Sequence, residues 1–489
     1  MIGGGPAGAT LATVCAQNGL DVALFERERG PRYRVGESLL PATPRELATL
    51  LDVGEKIERT NFVVKPGATF CWGDRPDTPW TLFFGGPDAG LNAPAALNVD
   101  RRRFDTILLD NAAAQGASIH KGQAVVSVGK GDSVHGRAVE IGVLDSGVRH
   151  RVRARYVANA SGQMRLGLPE LRARTHSVFF RKVAVWGYWD GAGRLERPLD
   201  GNVLFEAFET GFGPAWAWFI PLSDSLTSVG LVAPRSCAAS LGKNRRAKLT
   251  AWLARCPRTA SLLTDARPSS RPPYHEVRLC ADYSYASDAF WAPGLVQVGD
   301  AACFIDVLLS SGVHLATYGA LLAARSIEAV LRGRLPESLA MNEYESRVRQ
   351  EFAIFYAGLS GLYDMTRPRE HYIEPLRNIL RNSNGVTMER SMRDDVPGGL
   401  NVDGVATMPC DPVSRAKGNR QTMRAFNRRQ LLYDGAPCMV SVAELPAIRN
   451  TLAVSPSGRR WRLPGGGESA PPARPFLDAR DRDGGGDME

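Results

Sequence analysis

Gly3, Gly5 and Gly8 stand at G-x-G-x-x-G spacing at the start of a chain of 489 residues. Glycines at this spacing permit a tight turn, let backbone approach a pyrophosphate, and let a helix pack closely on a strand. The phosphates then rest on the helix N-terminus. Glu26 closes the apolar segment DVALF and is placed to accept hydrogen bonds from ribose hydroxyls. Together these features point to dinucleotide binding. Much farther along, Gly299-Asp300 follow the apolar run GLVQV, where an aspartate can hold a ribitol or ribose hydroxyl. Ser311 and Gly312 then open a long helical pattern. First-turn N–H groups lack intrahelical partners and sit at the positive end of the helix dipole. Such a place accepts an anion or the electron-rich edge of a cofactor ring; the alternative is a plain N-cap at Ser310 or Ser311. Lys65, in VVKPGATFCWG, is flanked by apolar residues, whereas most lysines are solvated. In WAWFIP, residues 216 to 221, strand alternation puts Trp216, Trp218 and Ile220 on one face. That face is either an aromatic core or a wall with a purpose. Pro221 ends the strand or marks its edge.

These groups need elements to hold them. The first forty residues read as a strand remnant, a glycine turn, a helix and a second strand. A Rossmann-type unit carries about five or six strand residues before the turn. Only Met1 and Ile2 precede Gly3, so most of that strand is expected to be missing, through a start placed too late or a shortened chain. Phe104 to Gln115 reads as a helix among β-rich segments such as AVVSVGK and VEIGVL. VAVWGYWD, NVLFEAFE, WAWFIP and TSVGLVAP read as successive strands, and Val63 to Gly73 as a strand-like run interrupted by Lys-Pro-Gly. Residues 294 to 332 read as strand, loop and helix, with apolar positions at helical period from Val313 to Val330. Residues 340 to 382 are again helical, ending near NSNG. After about residue 395 Gly, Pro and Arg rise and the texture is that of a disordered tail, with one short foldable piece around CMVSVAELPAIRNTLAVSPSG.

At this length two or three sub-domains are expected. A hydrophobic content of 44% and a charged content of 23% are ordinary globular values and allow a large core. No apolar stretch is long enough for a transmembrane helix, and MIGGGPAGAT has neither the basic region nor the cleavage pattern of a secretory signal. The 8 cysteines are scattered singly, with no CxxC pair. That argues against a zinc ribbon or a thioredoxin-type site, no metal is expected, and a reduced, cytoplasmic protein fits. The net charge is +9, with a basic run from Arg415 to Arg429, which reads as a solvated face or a contact for an acidic partner. No basic motif interleaved with aromatics is present, so no nucleic acid is expected.

Several motifs taken together resemble the flavin-dependent halogenases, in the branch acting on phenolic or pyrrolic rings. They are GGGPAG at 3–8, FERERGPRYRVGESLLPAT at 25–43, NVDRRRFD at 98–105, WAWFIP, GDAACFIDVLLSSGVHLA and YDMTRPREHYI at 363–373. The match covers roughly residues 1 to 385. The resemblance implies an α/β aromatic-hydroxylase-like flavoprotein monooxygenase fold. Its parts would be a discontinuous Rossmann-like FAD-binding domain (1–175 and 285–335), a β-rich substrate domain (176–284), a C-terminal helical region (336–394) and a tail (395–489).

It also implies roles. FAD would enter as FADH2 from a separate flavin reductase, since the chain shows no second nucleotide fingerprint. Arg101 would approach the FAD. The Ser311 and Gly312 amides would hold chloride. Hypohalous acid would travel through a tunnel to Lys65, and Trp216, Trp218 and Ile220 would keep the aromatic substrate away from the flavin. That substrate would be free or carried on an acyl or peptidyl carrier protein. The chain departs from the family pattern in having Val307 for a proline and Asn159 for an aspartate. Leu309 stands where tryptophan-halogenating relatives have a glutamate, which agrees with the phenol or pyrrole branch. The competing reading is a single-component FAD aromatic hydroxylase. It would share the glycine turn and the Gly-Asp pair but would have no need of an indole wall.

Overall fold

The computed structural model describes residues 1–372, apart from 31–33, 84–95, 130–136, 144–147, 165, 167–170, 172 and 242–243. The tail after residue 395, the basic run Arg415 to Arg429 and the NSNG segment lie outside the described residues.

Parallel strands form the first layer. Ala23–Glu26 pairs with Ser118–Lys121, and Val157–Asn159 pairs with Leu295–Gln297. Ile2 bridges in parallel to both Phe25 and Asn159. Its N–H donates to the Ala158 carbonyl at 2.9 Å, and its carbonyl accepts from the Ala160 N–H at 2.8 Å. Met1 and Ile2 therefore occupy the slot between the two pairs, and the chain turns at once through Gly3. The helix Pro6–Gln17 follows, with proline in its first turn, where a missing N–H costs no hydrogen bond. Leu11, Ala12 and Val14 are buried, and the helix packs against the helices Arg101–Ala114 and Ser311–Leu331. Arg101–Ala114 begins before the expected Phe104 because the Asp100 side chain accepts from the Arg102 N–H at 2.9 Å and caps it.

The second layer is an eight-stranded sheet. Lys182–Asp190, Leu226–Pro234, Pro214–Pro221 and Val203–Glu209 are successive antiparallel neighbours. Gly67–Cys71 joins in parallel beside Val203–Glu209, and Trp80–Phe83 closes that edge. Arg267–Pro268 and Arg278–Ala281 pair with the opposite edge. One face of this sheet carries Val183, Val185, Leu204, Phe219, Val229 and Leu231, in a cluster with residues of the helices Arg245–Leu253 and Pro257–Leu262. Each such buried aliphatic or phenyl side chain contributes about 1.5–3 kcal/mol. The other face is aromatic and turns toward the parallel layer.

One expectation is sharpened and one needs correction. The interruption expected within Val63 to Gly73 is a complete break between two strands. Pro66 has no N–H to continue a ladder, and the run divides into Val63–Lys65 and Gly67–Cys71, which belong to different sheets. The helix expected over 340–382 is interrupted: Glu337–Leu362 ends at Tyr363, helical residues resume at 370–372, and 373–382 lie outside the described residues. Asp364 accepts from Thr366 Oγ1 and from Arg367 Nε, each at 2.7 Å, which makes a turn just before Pro368. No helix among the described residues is long and apolar enough to cross a membrane.

Candidate functional site

The glycine turn is sterically closed. A Cβ at Gly8 would lie 1.9 Å from the Gly3 carbonyl oxygen, and one at Gly3 would lie 2.5 Å from the Ala160 carbonyl oxygen. Gly5 caps the helix with no side-chain bond, so first-turn N–H groups remain for a phosphate. Glu26 is buried at the end of its strand, and its carboxylate accepts from the Gly4 N–H at 2.7 Å and the Glu28 N–H at 2.9 Å. Arg101 is clamped by Asp105 through two bonds of 2.7 and 3.0 Å, and donates to the Val35 carbonyl at 3.0 Å. It thereby ties helix Arg101–Ala114 to the segment leading into Glu37. Gly299 adopts φ +64°, where a Cβ would sit 3.0 Å from Ala7 Cβ. The tight packing brings Asp300 beside the glycine turn.

These parts meet at a cavity of about 600 Å3. Gly5, Arg101, Asp300, Ser310, Gly312, Trp216, Trp218 and Ile220 all line it. A closed glycine cradle opening into a cavity of this size fits a dinucleotide with a large ring system.

The wall is wider than WAWFIP. Strand register aligns Trp80, Phe70, Phe205, Trp218, Gly230 and Trp186 in one row across six strands. Phe70 stacks on Trp80 at 4.4 Å, and Trp186 lies 6.4 Å from Trp218. Gly230 is the gap that admits both indoles: a Cβ there would meet Trp218 Cζ2 at 2.4 Å and Trp186 Cβ at 2.5 Å. Sequence reasoning missed Trp186, Phe205 and Gly230. An isolated glycine inside the strand pattern TSVGLVAP was the available signal.

The plain N-cap alternative at the SSG corner is not what the structure shows. Ser310 takes a left-handed conformation (φ 59°) without a side-chain cap bond. Ser311 is buried, and its Oγ finds no hydrogen-bond partner among the described residues. The helix Ser311–Leu331 thus starts with first-turn N–H groups that no side chain caps, next to a cavity lined by Ser310 and Gly312. Gly312 packs under the Phe304 ring, where a Cβ would lie 2.9 Å from Cε2.

Lys65 does not line this cavity. It closes the strand Val63–Lys65, which pairs with Ala96–Asn98, and is 3% exposed. Its Nζ donates to the Leu39 carbonyl at 3.2 Å. Burial lowers its pKa to about 7. The link to the cavity is the segment Glu37–Leu39: Glu37 and Ser38 line the cavity, and Leu39 holds the lysine. Glu37 is buried and accepts from the Tyr188 hydroxyl at 2.5 Å. Burial raises its pKa to about 7, against hydrogen bonds from Tyr188 and Ser228. Ser38 Oγ and Asn98 Oδ1, also buried, find no partner among the described residues. A polar seam therefore runs from the cavity to Lys65. Glu37 was not singled out from the sequence, although an acid between apolar neighbours in VGESLL was legible there.

The family model described as tryptophan halogenase matches residues 1–93 and 89–376. The flavin-dependent halogenase armH3 of Armillaria mellea is 34% identical over 391 residues, covering 76% of this chain and 75% of the relative. A tryptophan 2-halogenase of Chondromyces crocatus is 31% identical, covering 79% and 71%. The solved myxobacterial chondrochloren halogenase CndH superposes with a TM-score of 0.72 at 33% identity, over 94% of this chain and 98% of that one. The halogenase PltM in complex with phloroglucinol and FAD shares the fold, with a TM-score of 0.65 at 19% identity, over 92% and 89%. With a sealed glycine cradle, a cavity walled by indoles and relatives of this extent, the chain belongs to the flavin-dependent halogenases.

Proposed function

We propose that the protein chlorinates an activated aromatic ring, phenolic or pyrrolic, in natural-product biosynthesis, using FADH2, O2 and chloride. The observation that carries this reading is the pairing of a continuous aromatic wall with a buried lysine outside the walled cavity. Bound reduced FAD supplies the electrons that, with O2, turn a halide into an electrophilic oxidant. The cradle of Gly3, Gly5 and Gly8, with Glu26 and Asp300, binds and orients the dinucleotide. The amides of Ser311 and Gly312 hold the halide at a helix start, where the dipole favours an anion. The wall of Trp216, Trp218 and Ile220 excludes the substrate ring from the cavity, so that oxygen is not inserted and the oxidant is shielded from water.

Lys65 receives hypohalous acid at the end of the polar seam. With a pKa of about 7, it is present near neutrality both as an ammonium, which donates hydrogen bonds, and as an amine, which can take the halogen. The substrate ring, fixed beside Lys65, attacks the halogen, and positioning selects the carbon. The ring is taken free or on a carrier protein, and a separate reductase supplies the FADH2. Cytoplasmic location suits that diffusible supply.

The test supplies reduced FAD, O2 and chloride with a panel of phenols and pyrroles, free and carrier-bound, and reads products by mass spectrometry beside Lys65→Ala. A chlorine isotope doublet absent from Lys65→Ala is the expected result. A single added oxygen, unaffected by the substitution, would replace this reading with a hydroxylase.

A further inference from the structure

The cavity holds a buried carboxyl that the mechanism above does not use. Asp306 is fully buried, faces the cavity, and lies in the loop between Phe304 and the Ser311–Leu331 helix. It gathers donors from separate parts of the chain. The Leu308 N–H reaches Oδ1 at 3.0 Å, within the loop itself. The Tyr363 hydroxyl stands 3.0 Å from both carboxylate oxygens, and the Tyr283 hydroxyl 3.2 Å from Oδ2. Tyr363 caps the helix Glu337–Leu362, and its oxygen also accepts from Trp216 Nε1 at 2.9 Å. Lys182 Nζ sits 4.7 Å above the Tyr363 ring and adds positive charge near Asp306. Tyr283 in turn packs edge-on against Phe304, the ring that covers Gly312.

One carboxyl group is thus connected in two directions. Through Tyr363 it reaches the wall indole Trp216. Through the Leu308 amide and the Tyr283–Phe304 contact it reaches the loop that presents Ser311 and Gly312. Resting on the reading of those amides as the halide site, we propose that Asp306 is a positioning residue. It sets the Trp216 indole and the halide-binding helix start together, so that the wall and the halide site keep one fixed spacing. A buried, multiply bonded carboxylate is suited to this, because each donor it orients would be costly to leave unpaired.

The full-length protein with FAD bound is titrated with bromide, and the Trp216 Nε1–H resonance is followed in protein labelled with 15N-tryptophan. Bromide KM and kcat are measured in parallel. Tyr363→Phe removes only the bridging oxygen and keeps the ring under Lys182. It is expected to move the Trp216 resonance and to raise bromide Kd and KM about tenfold, the low-end cost of a hydrogen bond to a charged group, with kcat nearly unchanged. Tyr283→Phe is expected to raise bromide KM and leave the Trp216 resonance in place. Asp306→Asn should do both, and if it fails to fold the two tyrosine variants decide. A Trp216 resonance that moves in Tyr363→Phe while bromide affinity stays at the parent value would overturn the proposal, because wall and halide site would then be independent. No saturable bromide binding in the parent would remove the halide-site reading, and this inference with it. Binding in the parent that all variants share would remove the inference alone.

Discussion

The glycine turn and the Lys65 corner are built by the same steric device and treat charge in opposite ways. At the turn, a Cβ on Gly8 would lie 1.9 Å from the Gly3 carbonyl; at the corner, a Cβ on Gly201 would lie 1.9 Å from the Val64 carbonyl, next to Lys65. In both places two backbone segments touch with no room for a side chain. The turn uses that contact to aim N–H donors at an anion, so its charge preference comes from peptide dipoles that no pH change removes. The corner uses it to enclose an ammonium. Asn98 Nδ2 donates to the Gly201 carbonyl at 2.9 Å, which draws the segment over the lysine strand, and burial lowers the lysine pKa to about 7. A group whose charge is set by burial can alternate between donor and nucleophile near neutrality, whereas a backbone cradle cannot. On the proposed function the turn holds the cofactor and the corner delivers the halogen, and each end can be tested by itself.

The largest expected effect is on Lys65. Lys65→Ala should lower halogenation at least about a hundredfold, in the range for loss of a group acting directly on the reacting atoms. FAD affinity, read by flavin fluorescence titration, should stay at the parent value. Loss of FAD binding in this variant would mean the two regions are one site.

Next in size is a pH effect on stability. The lysine pKa is near 10.5 unfolded and about 7 folded, so between these values the unfolded chain binds more protons and stability rises with pH. Relative to Lys65→Met, the parent should gain about 1.4 kcal/mol per pH unit between about pH 7 and pH 9 in urea melts. The variant's advantage is therefore greatest below about pH 7 and shrinks as pH rises. A constant difference across that range would show that the lysine is not desolvated.

The paired glycines sharpen the contrast. Gly8→Ala and Gly201→Ala should each cost about 1–3 kcal/mol, the usual range for overpacking. The functional losses should differ: Gly8→Ala loses FAD binding, and Gly201→Ala keeps FAD but loses halogenation. The same loss from both would erase the distinction. Smallest is Gly230→Ala, expected to cost about 1–2 kcal/mol as the indoles give way. It should raise the share of O2 consumed without halogenated product, measured by oxygen uptake against product, because the wall then seals less well.

The cofactor side was largely legible in the chain. G-x-G-x-x-G spacing, the acid ending the second strand and the Gly-Asp after GLVQV are local patterns, and each reports a backbone requirement within a few residues of itself. The strands of the second layer were legible for the same reason, since alternation is a period-2 signal. The helix after residue 336 was legible in kind but its interruption was not, because a single Asp364 turn outcompetes a continuing helical pattern. Within Val63 to Gly73, Lys-Pro-Gly marked the break but did not say that the halves join different sheets. Glu37, Asp306, Tyr363 and Gly201 went unseen. Each acts on a partner distant in the chain, and no spacing encodes that.

The sequence by itself determined a dinucleotide cradle, a shared face for Trp216, Trp218 and Ile220, and a helix start at Ser311–Gly312, because local sterics and backbone periodicity act over short chain distances. Only the tertiary structure decided that the indole face continues through Phe205, Phe70 and Trp186, since strand register joins segments far apart in sequence. It alone decided that Lys65 is buried outside the cavity and tied to it through Glu37–Leu39. The physical reason is desolvation: a side chain's charge state depends on what surrounds it, and for Lys65 the surroundings come from residues near 39, 97 and 201, brought together only by the fold.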